Sequence, residues 1–209
     1  MRYEVTGFKS LALALKELEP FIRNGKHLQT GKEITNFGRP RSRELLGNWL
    51  ICVTVNWTYE QPERFQMFSD PTGGDGIIRD GETEATWRME HVIVPQAREG
   101  KKENLDSRVL AAVADKQNKG GPAYASGKTL VVFVNAGEGI WSPNKIARNL
   151  PKLDFDDVWV FGLQHAVDGE YTYAVARLDM SQGNVPTWIV RIMKSFDAWE
   201  VTQIQQPSD

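Results

Sequence analysis

Residues Asp70–Gln96 read DPTGGDGIIRDGETEATWRMEHVIVPQ, and the rest of the chain is arranged around them. Gly73, Gly74 and Gly76 let the backbone turn tightly about Asp75, and Ile77 and Ile78 then begin a strand, so Asp75 is expected at a strand entrance. Asp80–Gly81 is a hairpin signal, and Ala85 to Val94 is the partner strand, stopped by Pro95. Strand alternation puts Thr86, Arg88, Glu90, Val92 and Val94 on one face and Trp87, Met89, His91 and Ile93 on the other. A hairpin of this kind can bring Asp75 and Glu90 together. Two carboxylates that converge beside apolar residues repel each other and lose hydration, an arrangement that a divalent cation between them makes tolerable. All-oxygen ligands favour Mg²⁺, with Mn²⁺ as the substitute.

The 209 residues, 41% of them hydrophobic and 25% charged, suit one globular domain with a sizeable core. No apolar run approaches the roughly eighteen residues of a membrane-spanning helix, and Lys9, Lys16 and Glu17 interrupt any signal-peptide pattern, so a cytoplasmic location is expected. The single Cys52 excludes an internal disulfide, and with three histidines no zinc spacing arises. A net charge of −2 calls for local basic patches if nucleic acid is the partner.

Upstream of the hairpin, Phe8, Leu11, Leu15, Leu18 and Ile22 give an amphipathic helix that Pro20 is expected to kink or end. Arg39, Arg41 and Arg43 form a basic cluster suited to phosphate oxygens. From Ser42 to Tyr59 the recurrence of Leu45, Leu46, Trp49, Leu50, Val53 and Trp57 favours a helix over a β-branched strand at Ile51–Val55. Glu44 in its first turn suits the helix dipole. Arg64 to Ser69 is a first strand, and Asp70 and Asp80 read as turn formers.

Downstream, a charged loop with Arg98, Lys101 and Lys102 leads to a helix capped at Asn104 or Asp106. It carries Leu105, Val109, Ala112 and Val113 on one face and is expected to end at Lys119–Pro122. Thr129 to Asn135 is a buried strand and Pro143 to Leu150 a short helix. Strands follow at Asp157–Leu163 and Tyr171–Leu178, with His165 as a strand-end residue. Trp188, Ile189, Ile192, Met193, Phe196 and Trp199 have the spacing of a closing amphipathic helix.

An Asp in a glycine-rich turn opening one strand and a Glu some fifteen residues later in the next resemble the PD-(D/E)XK nucleases, the restriction-endonuclease-like fold. The order from Arg41 to Asn135 is helix, strand, strand, strand, helix, strand, as that family implies. The resemblance covers the middle half of the chain and implies an α/β fold with a mixed sheet: an αβββαβ core with helices on both faces and a C-terminal strand and helix extension. One domain is then expected, with residues 1–40 as N-terminal helix and loop, 41–136 as nuclease-like core and 137–209 as extension.

By the same resemblance Asp75 and Glu90 hold Mg²⁺ (or Mn²⁺), the His91 carbonyl adds a ligand, and DNA is the partner, with a homodimer left open. Val92 stands where the family's catalytic lysine would be. Some members relocate that lysine to the following helix, which makes Lys116 and Gln117 candidates. Arg39, Arg41, Arg43 and Lys102 would hold the nucleic-acid backbone, and Glu44 is a candidate for assisting the metal. The activity implied is Mg²⁺-dependent endonuclease cleavage. One alternative is a catalytically degenerate module that binds nucleic acid or protein. The other is an unrelated α/β protein in which Glu90 pairs with Arg88 or with a basic residue of another element and is structural.

Overall fold

The computed structural model describes residues 10–34, 40–97, 104–134 and 140–204. Its elements are helices α1 (Leu11–Arg23), α2 (Gly25–Thr30) and α3 (Ser42–Thr58), strands β1 (Phe65–Phe68), β2 (Ile77–Asp80) and β3 (Thr86–Val94), helix α4 (Leu105–Ala125), strand β4 (Lys128–Val134), helix α5 (Pro143–Asn149), and strands β5 (Asp157–Val167), β6 (Glu170–Arg177), β7 (Thr187–Ile192) and β8 (Trp199–Ile204). The eight strands form one mixed sheet in sequence order. Strands β3, β4 and β5 run parallel, and every other neighbouring pair is antiparallel.

The alternation along β3 explains the layering. Met89 joins the core that α1, α2 and α3 build on one face with Val131, Phe133, Trp159 and Phe161. Val94 joins a second core on the opposite face, where Val109 and Val113 of α4 and Ile146 of α5 meet Leu130, Val132 and Val160. The uninterrupted apolar run of β4 follows from burial on both faces.

Helix α3 is buried almost throughout, which is why its sequence carries apolar residues around much of its circumference. Its position is set by polar ties at three points. The Trp49 indole donates to the Leu11 carbonyl at 2.9 Å, binding α3 to α1. Asn56 exchanges two hydrogen bonds with the Phe65 backbone, at 3.0 and 2.8 Å, and so starts β1. Asn48 Nδ2 donates to the Asp75 carbonyl at 3.0 Å, fixing the turn before β2. That last tie needs a glycine next door. Gly76 has φ +131°, and a Cβ there would stand 2.3 Å from Asn48 Nδ2.

Four sequence expectations change. Helix α1 begins at Leu11, capped by Ser10, whose hydroxyl accepts from the Leu13 N–H, and it runs through Pro20 to Arg23; Phe8 lies outside the described residues. Helix α4 does not end at Lys119–Pro122. Gly121 breaks it with φ 66°, and a last turn resumes through Pro122 to Ala125, which suits proline because a new helical turn needs no N–H at its start. Strand β5 continues four residues beyond Leu163, with His165 exposed on it.

The fourth change is the largest: the expected closing helix at Trp188–Trp199 is instead β7, a turn and β8. Trp188, Val190 and Ile192 alternate toward the core, and Phe196 turns the chain with φ 54°. The apolar spacing satisfied a helical period, but the β-branched run Thr187–Ile192 had a neighbouring edge on which to pair. Among the described residues no helix is long and apolar enough to cross a membrane.

Candidate active site

Glu90 sits in the middle of β3, buried, on the α4 face. Lys128 opens β4, and the parallel register pairs Glu90 with Leu130, so Lys128, two residues earlier, projects on the same side. Its Nζ donates to Glu90 Oε1 at 2.8 Å. Lys116 of α4 brings its Nζ to 3.1 Å from Glu90 Oε2. The Tyr124 hydroxyl, placed by the turn beyond Gly121, donates to the same oxygen, and Lys128 lies 4.0 Å from the Tyr124 ring centroid. Burial alone would raise the pKa of Glu90, but donation from Lys128, Tyr124 and Lys116 outweighs it and holds the carboxyl below its ordinary value. Burial likewise works against the charge on Lys116, yet its bonds to Tyr124 and Glu90 raise its pKa. Lys116 is therefore a cation at neutral pH.

Asp75 occupies the glycine-rich turn at the entrance to β2. Its Oδ2 accepts from the His91 backbone N–H at 2.7 Å, which brings it to the residue after Glu90. Partial burial raises its pKa, the His91 N–H opposes that, and the charge of Glu90 adds to the rise. Glu44, in the first turn of α3, accepts from the Arg41 N–H at 3.1 Å. Its pKa is pushed up to about 7, first by burial and then by the charge of Asp75. Asp75 thus links two other carboxylates: the charge of Glu90 raises its cost of ionisation, and its own charge raises that of Glu44. Asp75, Glu44, Asn48 and Arg41 line a cleft of about 290 Å³ between the start of α3 and the glycine-rich turn.

On the other face of β3, His91 Nε2 lies 2.9 Å from Asn48 Oδ1. Its ring is buried, and its Nδ1 has no partner among the described residues. Burial, reinforced by the charges of Lys116 and Arg43, lowers its pKa to about 3, so the imidazole is neutral. This side chain is a brace and not a base facing Glu90.

The remaining candidates lie as follows. Gln117 does not face Glu90; it exchanges hydrogen bonds with Asp154, which ties α4 to the segment before β5. One helical position from Lys116 is enough to turn it onto a different neighbour. Arg41 is more than half exposed at the cleft rim beside Glu44, whereas Arg43 donates to the Gln29 carbonyl at 3.3 Å and is turned toward α2. Arg39 and Lys102 lie outside the described residues. Arg88 pairs with Asp70 at 3.1 Å, so it is not the partner of Glu90. Asp70 and Asp80 close their turns, Asp70 on Thr72 and Asp80 on Glu82, Thr83 and the Arg64 fork.

Lys128 and Tyr124 were missed in the sequence. Lys128 reads there as a flank of an apolar run, and only the β3–β4 register turns it toward Glu90. Tyr124 lies past a Gly-Pro signal that ordinarily ends a helix.

Among the described residues no three His, Cys, Asp or Glu side chains converge so as to hold a metal ion. Mg²⁺ asks for less, since it keeps several waters and is usually held by one or two carboxylates together with substrate phosphates. Asp75 and Glu90 offer hard oxygens of that kind, and the charge of Glu90 on Asp75, with that of Asp75 on Glu44, is the feature a cation would relieve. Compared with protein-family models, with curated proteins and with solved structures, the chain finds no match.

Proposed function

We propose that this protein is a divalent-cation-dependent nuclease of the restriction-endonuclease-like type, hydrolysing DNA phosphodiester bonds at the Asp75–Glu90 hairpin. The observation that carries the reading is Lys116. The β3 strand offers Val92 where a lysine is expected, and α4 supplies a cation 3.1 Å from Glu90 instead. The order α3, β1, β2, β3, α4, β4, with an antiparallel meander leading into a parallel crossover, supports it.

Asp75, Glu90 and the His91 carbonyl would hold Mg²⁺, which when bound neutralises phosphate charge and acidifies water. Lys116 is already protonated, so its part is to attract the phosphate and to orient the attacking water by donation; it takes no proton from that water. Tyr124 and Lys128 fix the Glu90 carboxylate in one rotamer and keep it ionised. Arg41 stands at the cleft rim, where a guanidinium fork suits a backbone phosphate. The catalytic groups then come from the glycine-rich turn, β3 and α4, and the α3 side holds Asp75 in place through Asn48.

A second reading rests on a specific observation. Both oxygens of Glu90 are occupied, by Lys128 on one side and by Lys116 and Tyr124 on the other. A carboxylate so fully paired can be structural, in a module that binds nucleic acid or protein without cutting. Cleavage of plasmid and single-stranded DNA with Mg²⁺ or Mn²⁺, by wild type and Glu90→Ala, separates the two. The nuclease reading expects cleavage that falls by about 10³-fold in the variant. Folded protein that cuts neither substrate with either metal, yet binds DNA in a salt-dependent way, leaves the binding module.

A further inference from the structure

A second cavity lies on the face of β3 away from Glu90, between the C-terminal half of α3 and the adjoining strand ends. It has a volume of about 530 Å³, within the range of small-molecule sites. Its walls are two aromatic banks. Tyr59, Phe65 and Trp87 form one, with ring centroids 5.3 and 5.8 Å apart in sequence. Trp159 and Trp188 form the other, stacked at 5.8 Å and 19°. Tyr59 and Trp87 are exposed at the mouth.

The charged side chains at this cavity are already paired. Arg64 grips Asp80 in a fork with distances of 2.8 and 2.7 Å. Arg177 donates to Asp157 at 2.8 Å, and the Trp159 indole N–H donates to the same Asp157 oxygen at 3.0 Å. The Trp188 indole N–H differs: it is buried and has no acceptor among the described residues. A buried donor left unpaired costs about 1–3 kcal/mol, so an acceptor that reaches it is favoured.

We infer that this cavity binds a single uncharged heteroaromatic ring system of the nucleobase class, stacked against its aromatic walls and accepting from the Trp188 indole N–H. Flat rings stack on either bank whatever their sequence identity. The spent arginine–aspartate pairs leave little for an anion, so the ring and not a phosphate is what is recognised. A base carries acceptor atoms at its edge that a phenylalanine or tryptophan side chain lacks. The site shares β3 with Glu90 but faces the opposite way, through Trp87 and Met89, so it stands whether or not the nuclease reading does.

The test uses protein with ¹⁵N-labelled tryptophan, titrated with adenosine, guanosine, cytidine and uridine, with their 5′-monophosphates, and with N-acetyltryptophanamide. The Trp188 indole signal is identified by its loss in Trp188→Phe, which keeps the ring bulk. At least one nucleoside is expected to shift that signal saturably with a dissociation constant below about 1 mM. Trp87→Ala, at an exposed position, is expected to weaken binding about tenfold and Trp188→Phe about three- to tenfold. Glu90→Gln is expected to leave it unchanged. The inference is overturned if no nucleoside moves the Trp188 signal, or if binding survives both tryptophan variants undiminished. It is equally overturned if a monophosphate binds more than about thirtyfold tighter than its nucleoside, or if N-acetyltryptophanamide binds as well as the nucleosides.

Discussion

On the α4 side of β3, Glu90 is held among Lys116, Lys128 and Tyr124 and stays ionised; one residue on, facing α3, His91 is buried against Asn48 and stays neutral. The two residues have similar exposure, 7% and 8%, and burial works against the charge of both; it prevails at His91, whereas cationic and hydroxyl donors outweigh it at Glu90. Lysines from two other elements hold a charge in place on one face, while the amide of Asn48 gives His91 a neutral partner on the other. The faces meet at Asp75, which receives the His91 backbone N–H and whose carbonyl is held by Asn48. The α4 side supplies the chemistry proposed here, and the α3 side fixes the position of Asp75.

Breaking the charged side is expected to have the largest effect. Lys116→Ala is expected to lower Mg²⁺-dependent DNA cleavage by about 10²–10³-fold, and Lys128→Ala by no more than about tenfold, because Lys116 also acts on Asp75. Single-turnover cleavage rates check the split; equal losses would remove Lys116 from its role as the relocated lysine.

The neutral side is expected to appear as acid sensitivity. His91 titrates near pH 6.5 unfolded and at about 3 folded, so between those values the unfolded chain binds the extra proton. Stability is therefore complete above about pH 6.5 and is lost as pH falls toward 3, by roughly 4 kcal/mol at the limit. Urea unfolding of wild type and His91→Gln across that range checks it, and an unchanged slope in the variant would contradict the assignment.

Asn48→Ala is expected to cost about 2 kcal/mol, since it leaves the Asp75 carbonyl and His91 Nε2 without their partner. Chemical denaturation measures the loss, and a cost near zero would mean that Asn48 does not brace the turn.

Glu44 sharpens the comparison. Its folded pKa of about 7 lies above its ordinary 4.5, so here the folded state holds the extra proton. This contribution is fully present below pH 4.5 and is lost as pH rises through 7, opposite in sign to that of His91. Without added divalent cation, Glu44→Gln is expected to flatten that decline in urea unfolding; an unaltered profile would show that Glu44 is not desolvated beside Asp75.

The central hairpin was legible because glycines, a turn dipeptide and strand alternation all agreed on it, and that alternation already separated Glu90 from His91. Helix α3 was legible because its apolar recurrence outlasted the short β-branched patch within it. The closing segment was not, because Trp188, Ile192 and Trp199 satisfy a helical period while Val190 and Ile192 satisfy a strand period, and only the pairing edge offered by β6 decides between them. Of the cations around Glu90, Lys116 was reached through the family resemblance, which looks for a relocated lysine on the helix after β3. Lys128 and Tyr124 were not, since their contacts with Glu90 depend on the parallel register and on the helical turn beyond Gly121.

The most direct test of the central claim, that Asp75 and Glu90 together hold a divalent cation, is calorimetric titration of the folded protein with Mn²⁺, repeated on Asp75→Ala. The account predicts one saturable site in wild type and its loss in the variant, with the variant's unfolding otherwise cooperative. No binding in wild type, or binding of equal strength after Asp75 is removed, would contradict it.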